Sequence, residues 1–365
     1  MAMRSVLGLM SGTSLDGIDV ALLSTDGEAI GDFGPTLFRP YSEAERAVLK
    51  AALSDARDLV DRRARPGNLA EAERIVTDAH GDAIEQCLRN NACKPPELIG
   101  FHGQTVFHAP HHGVTVQIGD GAALARRVAV PVVYDFRAAD VAAGGEGAPF
   151  VPVYHRALVA RAGFTGSVVV VNIGGVANIT RIAADESMLA GDTGPGNALL
   201  DDFVLSRTGE ACDRDGALAA RGTVDEMALS ALIADPWFDE PFPKSLDRNA
   251  FSPAPVHALS LEDGAATLAA FSGFTIAAGI VAAGGADTVV AAGGGAHNPA
   301  ILRFLKEAAA AARLLKASDL GWDGDFIEAQ AFAFLAARSL RGLPLSYPET
   351  TGVGRPTTGG ILAHP

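Results

Sequence analysis

Residues 11–17 read Ser11-Gly12-Thr13-Ser14-Leu15-Asp16-Gly17, with Asp19 two positions further on. The glycines let backbone amides approach an anion with no Cβ in the way, and Thr13 and Ser14 add hydroxyl donors. Asp16 and Asp19 would repel a phosphate in direct contact. Either suits a hydrated magnesium ion set between carboxylate and phosphates. The same letters also describe a glycine hairpin with Asp at turn positions. No Lys-Ser/Thr pair follows the glycines and the spacing is not GxGxxG, so neither a Walker loop nor a Rossmann fingerprint is present.

The logic repeats at NIGGVANIT, where Gly174 and Gly175 bring amides close and Asn172 and Asn178 offer neutral polar groups. Two such turns could clamp a polyphosphate. A third segment, AAGGGAHNP, places Gly293, Gly294 and Gly295 after an apolar run. These glycines leave a flat backbone on which a purine can lie, with Asn298 placed to hold ribose or base. In GDTGPGNALLDD, Asp192 is set in a rigid turn made by Gly191, Gly194, Pro195 and Gly196. A positioned Asp is the usual base that takes the proton of an attacking oxygen. Its structural alternative is an Asx-turn capping a helix over residues 197–206. Asp201 and Asp202 fall within that helix and read as a solvated or ion-paired face.

FHGQTVFHAP offers His102 and Gln104 as a substrate-pocket pair, whereas His108, His111 and His112 read as ordinary satisfied side chains. The tract HAPHHG lacks the regular spacing of a zinc site. In QIGDGAALARR, Gln117 is a pocket candidate, and Asp120 is either a helix N-cap or a ligand to sugar hydroxyls. DFRAADVAAGGEGAP supplies Asp135, Arg137 and Asp140. Arg137 suits a substrate carboxylate or phosphate, or else an ion pair with Asp135 or Asp140.

Positioning these groups requires strands that end in turns. Apolar runs at 5–10, 18–24, 98–101, 168–173, 179–182 and 287–292 read as strands. Helical patterns lie at 42–53, opened by a Ser42/Glu45 capping box, at 69–89 and at 325–341. Strands alternating with helices imply an α/β fold. VLGLMSGTSLDGIDVAL and VVVVNIGGVANITRI share one plan of strand, small-residue turn and strand. An internal duplication is therefore expected, with a boundary near 140–165 and a hinge in 142–152. The alanine-rich stretch 268–283 reads as a buried helix.

The 365 residues suit two domains, and 48% hydrophobic with 20% charged residues is a globular composition. A net charge of −14 disfavours binding to nucleic acid. The apolar start is broken by Ser11 and Gly12 too early for a signal sequence, and no run reaches a membrane span. The three cysteines, Cys87, Cys93 and Cys212, have no metal or redox spacing, which fits idle thiols in a reducing cytoplasm.

Taken together, GLMSGTSLDGIDVAL, FHGQTV, QIGDGAALA, DFRAADVAAGGEGAPFVP, NIGGVANIT, GDTGPGNALLD, PFPKSLDRNAF, GGGAHNP and EAQAFAFLAARSLRGLP resemble the anhydro-N-acetylmuramic acid kinases of bacteria. They occur in that family's order over nearly the whole chain. The resemblance implies a fold of the hexokinase, Hsp70 and actin type: two related α/β lobes with ATP in the cleft between them. The lobes would be residues 1–140 and 141–342, with the tail 343–365 packed back on the first. It implies ATP and magnesium as cofactors, 1,6-anhydro-N-acetylmuramic acid as substrate, and a cytoplasmic homodimer with no nucleic-acid or membrane partner. Asp192 matches the family's catalytic base. Arg137 and Asp140 match its interlobe motif, and Glu328 matches a glutamate in its final helix, with a supporting polar role. Gly191 stands where a bulky residue such as Phe is common, which would loosen the placement of Asp192. The alternatives are a kinase of the same fold for another amino sugar, or an Hsp70- or actin-like nucleotide switch. For the switch, no appended binding domain is evident.

Overall fold

The computed structural model describes residues 2–248 and 250–365; Asn249 of the PFPKSLDRNAF motif lies outside the described residues. Two sheets organise the chain. The first is opened by the strands β1 (Arg4–Ser11), β2 (Gly17–Thr25) and β3 (Ile30–Pro40), an antiparallel meander. It continues through β4 (Leu98–Ala109), β5 (Val114–Ile118) and β6 (Val132–Tyr134). β4 runs parallel to β1, β6 parallel to β4, and β5 pairs back on β4. The second sheet holds β7 (Val168–Ile173), β8 (Val176–Ile182), β9 (Met188–Pro195), β10 (Thr288–Ala292) and β11 (Arg313–Lys316). The last strand, β12 (Ile361–Ala363), returns to the first sheet and pairs with β6.

The main strand orders are β3-β2-β1-β4-β6 and β9-β8-β7-β10-β11. Each is a three-stranded meander whose first strand is flanked by two successive parallel strands. This repeated plan is that of the expected duplicated α/β fold. Each turn that drew attention in the sequence leaves the first strand of a meander, or the parallel strand beside it.

The chain forms two compact units, residues 1–161 with 326–365, and residues 162–325. The division therefore falls later than 140, and it falls before the final helix and not after it. Helix Ile327–Leu340 belongs to the first unit because its small residues lie directly on β1, β2 and β4. Gly8 and Gly100 make that approach possible. A Cβ on Gly8 would lie 1.8 Å from Ala329 O, and one on Gly100 would lie 2.0 Å from Phe332 O. The helix Pro152–Ala162 joins the same unit, with Tyr154 OH donating to Gln330 Oε1 at 2.9 Å. The segment expected to be a hinge, 142–152, thus lies inside the first unit.

Local signals hold well. Ser42 and Glu45 form the capping box of helix Glu43–Asp55. The alanine-rich stretch forms helix Leu261–Ala282, which is long and apolar enough to cross a membrane by composition, yet 78% of its most apolar window is buried inside the protein. It serves as the core helix of the second unit, packed with Val169, Val171, Ile173 and Ile301.

Gly100→Ala is expected to lower stability by about 1–3 kcal/mol, since the added methyl overpacks a helix backbone that has no side chain to move. Urea unfolding checks this: the midpoint should fall with the slope unchanged. An unchanged midpoint would show that the helix does not press on β4.

Candidate active site

In the first unit, β1 and β2 are joined by the turn that begins at Gly12. Ser11 is buried and its hydroxyl donates to Gln104 Oε1 at 2.6 Å, with Tyr41 OH at 3.0 Å. Gln104 Nε2 then donates to Gly12 O at 3.0 Å. Gln104 is fully buried, so it fastens the turn from behind and does not face a pocket. Tyr41 shares this burial, which raises its phenol well above the usual range. Thr13 and Ser14 are exposed, and Leu15 is buried with φ 55°. A Cβ on Gly12 would meet only Ser14 Oγ, at 3.7 Å, so the turn is not crowded, whereas Gly17 is required by packing: a Cβ there would lie 2.5 Å from Arg39 O.

Asp16 Oδ1 accepts from Ser14 Oγ at 2.7 Å and from Gly17 N at 2.9 Å, which shapes the turn and holds the exposed carboxylate in place. Asp19 sits opposite Met10 in the β1–β2 register, two residues from the Gly8–Ala21 pair. It therefore points to the face covered by helix Ile327–Leu340, with Glu328 in that helix's first turn. Hard oxygen donors of this kind fit magnesium and not a soft metal.

His102 and Arg137 form the second constellation of this unit. His102 Nδ1 bonds to Gly103 O at 2.8 Å, and Arg137 Nε and Nη2 approach His102 Nε2 at 3.1 and 3.0 Å. The ring is thus neutral, with Nε2 as acceptor. Burial and the neighbouring guanidinium hold its pKa well below the usual value. His102 is buried, so it aims Arg137 and does not itself meet a ligand. Arg137 Nη1 donates to Gly147 O at 2.8 Å, and its pKa is lowered by burial to about 10, still charged at neutral pH. Neither expected ion pair forms. Asp135 bonds to Arg62 at 2.6 Å, and Asp140 is buried among Gly147 N, Ser346 Oγ and Thr351 Oγ1. Asp140 thus ties the glycine-rich loop to the C-terminal segment and is no ligand residue. Glu328 is solvent-exposed; the surrounding protein raises its carboxyl above the usual range, and Arg137 opposes that shift.

The two polar candidates of QIGDGAALARR take different roles. Asp120 is the N-cap of helix Gly121–Val128 and accepts from Ala123 N at 2.8 Å, which is its structural alternative. Gln117, on β5, donates to Thr115 Oγ1 at 2.8 Å, and its buried Oε1 has no partner in the structure.

In the second unit, pairing brings Asn172, Asn178 and Asp192 side by side on β7, β8 and β9. Ile173 and Ala177 point to the opposite, core face. Asp192 is on a strand and caps no helix. Its Oδ2 accepts from Leu246 N at 2.7 Å, and its own N–H donates to Lys244 O at 2.8 Å. Burial raises its pKa to about 6, with the Leu246 N–H pulling the other way. Gly191 does not loosen this residue. A Cβ there would lie 2.6 Å from Phe242 Cδ1 and 3.0 Å from Lys244 N, so the glycine admits the segment that grips Asp192.

The Gly174-Gly175 turn joins β7 to β8. Its carbonyls accept from Asn197 N at 2.8 Å and Gly196 N at 3.0 Å, which docks the turn on the start of helix Ala198–Thr208. Gly293 follows β10 with φ 80°, where a Cβ would lie 2.2 Å from Asn172 Oδ1. Gly295 is needed for packing on Ile173, while Gly294 remains exposed. Asn298 is the N-cap of helix Pro299–Ala308, and its Oδ1 bonds to Ala300 N at 2.9 Å. It holds the helix, so its oxygen is not available to a ribose. Beside Gly293 lies a cavity of about 450 Å³ lined in part by Ala292, Ala296, Ser318, Trp322 and Asp323. Trp322 and Asp323 were not singled out by the sequence; Gly321 and Gly324 mark them as a turn, but only the fold brings them beside Gly293.

The duplicated sheet plan, with glycine turns leaving β1 and β7 and a partly desolvated carboxylate on β9, is the arrangement expected of a kinase of the two-lobed α/β class. The chain belongs to the anhydro-N-acetylmuramic acid kinase family, whose model matches residues 4–364. It is 52% identical over 376 residues to a protein of that name from Rhodopseudomonas palustris strain CGA009, covering all of both chains. A second, from strain BisB18, is 54% identical and covers 99% of this chain and all of its own. One from Bradyrhizobium diazoefficiens is 53% identical over the whole of both chains.

Asp192 makes a stability prediction with a definite sign. Its folded pKa lies above the unfolded value, so the unfolded state releases its proton first. The contribution of Asp192 to stability should therefore fall as pH rises from about 4 to about 6 and level off above. Asp192→Asn should remove that loss and be more stable than the parent at pH 7, by on the order of 1–3 kcal/mol. Denaturation curves of both proteins at pH 4.5 and 7 check this; a variant less stable at pH 7 would show that the carboxylate is favourably held.

Proposed function

We propose that the protein opens the 1,6-anhydro ring of 1,6-anhydro-N-acetylmuramic acid with water and transfers the γ-phosphoryl group of ATP to the released 6-oxygen. The products are N-acetylmuramic acid 6-phosphate and ADP, a step in peptidoglycan recycling. The observation that carries this reading is Asp192, a carboxylate whose pKa is raised to about 6 beside Asn178 and the Gly174-Gly175 turn. A base is most useful when its pKa lies near the working pH. Asp192 takes a proton from water as the water oxygen attacks C1. The C1–O6 bond breaks, and O6 attacks the γ-phosphorus as ADP leaves. An anhydro sugar has no free 6-hydroxyl, so ring opening and phosphoryl transfer belong to one enzyme.

The exposed amides and hydroxyls of residues 12–14 and the Gly174-Gly175 amides are the phosphate ligands in this reading. Gly293 and Gly294, with the cavity beside them, take the adenosine. Asp16 and Asp19 would hold magnesium through water, and magnesium would neutralise phosphate charge. Arg137 is charged, aimed by His102 and in no ion pair with a carboxylate of its own unit, which suits the lactyl carboxylate of the sugar. The buried, unpartnered Gln117 Oε1 is an acceptor for a substrate donor. A cytoplasmic location and a homodimer belong to the same proposal.

Incubation with magnesium-ATP and the anhydro sugar should give a 6-phosphorylated reducing sugar by mass spectrometry. ATP turnover on another sugar alone would reject the substrate. Asp192→Asn should keep ATP binding and lose about 10²–10⁴-fold in kcat. In the parent, kcat should rise with pH through about 6 as Asp192 loses its proton and then level off. A flat profile from pH 5 to 7 would remove Asp192 from the role of base.

A further inference from the structure

The segment PFPKSLDRNAF carries a family motif but has no part in the reading above beyond its grip on Asp192. It is firmly placed. Lys244 Nζ donates to Trp237 O and Phe238 O at 3.0 Å each and lies 4.1 Å from the centre of the Trp237 ring. Trp237 Nε1 donates to Ser245 O at 3.2 Å. From Leu246, which holds the base, the chain runs two residues to Arg248. The Arg248 side chain then lies beside Gly175 of the second glycine turn. A Cβ on Gly175 would meet Arg248 Cδ at 3.8 Å and Nε at 4.0 Å.

Its guanidinium rests on Asp202 Oδ1 at 3.2 Å, and both side chains are more than half exposed. Water screens such a pair, so it is readily exchanged for a stronger anion. Asp202 leaves the helix that begins directly behind the same turn. The nearest strong positive charge to the second glycine turn is thus one swing away from whatever anion that turn holds. In an acidic protein, such a cation beside a turn that offers only peptide dipoles has an obvious use. Phosphoryl transfer spreads negative charge over the equatorial oxygens of the moving group, and a guanidinium matches that geometry.

We infer that Arg248 is the cation of the second phosphate turn: it exchanges Asp202 for the terminal phosphate of the nucleotide and stabilises the phosphoryl group during transfer. It makes and breaks no covalent bond. Because Leu246 and Arg248 lie two residues apart, the base and this cation are served by the same piece of chain. The inference rests on the kinase reading, but its test does not depend on which sugar is used.

The test compares ADP with a non-hydrolysable ATP analogue by calorimetry in magnesium buffer, on the parent and on Arg248→Gln. ADP affinity should change little, and the analogue should weaken about 10–100-fold, the worth of a charge-assisted hydrogen bond. With the sugar present, kcat should fall about 10²–10³-fold, with partial recovery in Arg248→Lys or on adding guanidinium. Equal loss for both nucleotides would show a purely structural brace on the turn and overturn the inference, as would unchanged binding of the analogue. Asp202→Asn provides a second readout if Arg248→Gln fails to fold. Freed from its resting partner, Arg248 should bind the analogue as tightly as in the parent or more tightly, with ADP unchanged. Weaker analogue binding in Asp202→Asn would overturn the inference. Parent protein that binds both nucleotides but leaves the anhydro sugar untouched would count against the substrate and not against Arg248.

Discussion

Asp192 is held by peptide groups and not by a cation. The Leu246 N–H reaches its carboxylate, and its own N–H is tied to Lys244 O. An arginine or lysine in that place would lower the pKa by about 1–3 units and leave a poor base at neutral pH. A single peptide dipole orients the group while burial keeps it basic. The arrangement needs the chain at 242–246 to lie flat on β9, and only a residue without a side chain at 191 allows it. The basicity of one side chain therefore depends on the absence of another at its neighbour.

The first unit uses the opposite device. Its conspicuous polar residues are buried and act through others. His102 has no proton to give at Nε2, because that atom accepts from Arg137, and its neutral state follows first from burial and then from the charge it aims. Gln104 has one amide end on Ser11 and the other on Gly12 O. Each hydrogen bond removes freedom from the turn or the guanidinium it holds, so both are stiff before any ligand arrives. Preorganisation of this kind lowers the cost of ordering on binding.

Much of this was legible in the sequence. Strands 168–173 and 288–292 are β-branched runs between glycine turns, and the Ser42 capping box marks its own helix. The three glycine turns and Asp192 were picked out by residue type, and pairing puts Asp192 one strand from Asn178. What the letters hid was direction. Asp120 and Asn298 cap helices, and Asp140 ties two loops, because a short polar side chain reads the same whether it meets backbone or ligand. β9 was read as a turn since Gly191, Gly194 and Pro195 have poor strand propensity; its pairing with β8 decides otherwise. The unit boundary was misplaced for a similar reason. Nothing local in EAQAFAFLAARSL says which sheet it covers, and the decisive partners, Gly8 and Gly100, lie more than 200 residues earlier.

The two sheets share one strand order yet secure their first turns by different means. In the first, the side chain of Gln104 reaches from β4 to the carbonyl of Gly12. In the second, the backbone at the start of helix Ala198–Thr208 reaches the carbonyls of Gly174 and Gly175. Both solutions turn carbonyl oxygens toward the protein. An anion-binding turn requires this, because a carbonyl left facing the ligand would oppose the amides beside it. The duplicated architecture thus fixes where the turns lie, while each unit found its own donor to orient them. The first turn then keeps hydroxyls and carboxylates of its own, and the second has only peptide groups, with Arg248 lying alongside.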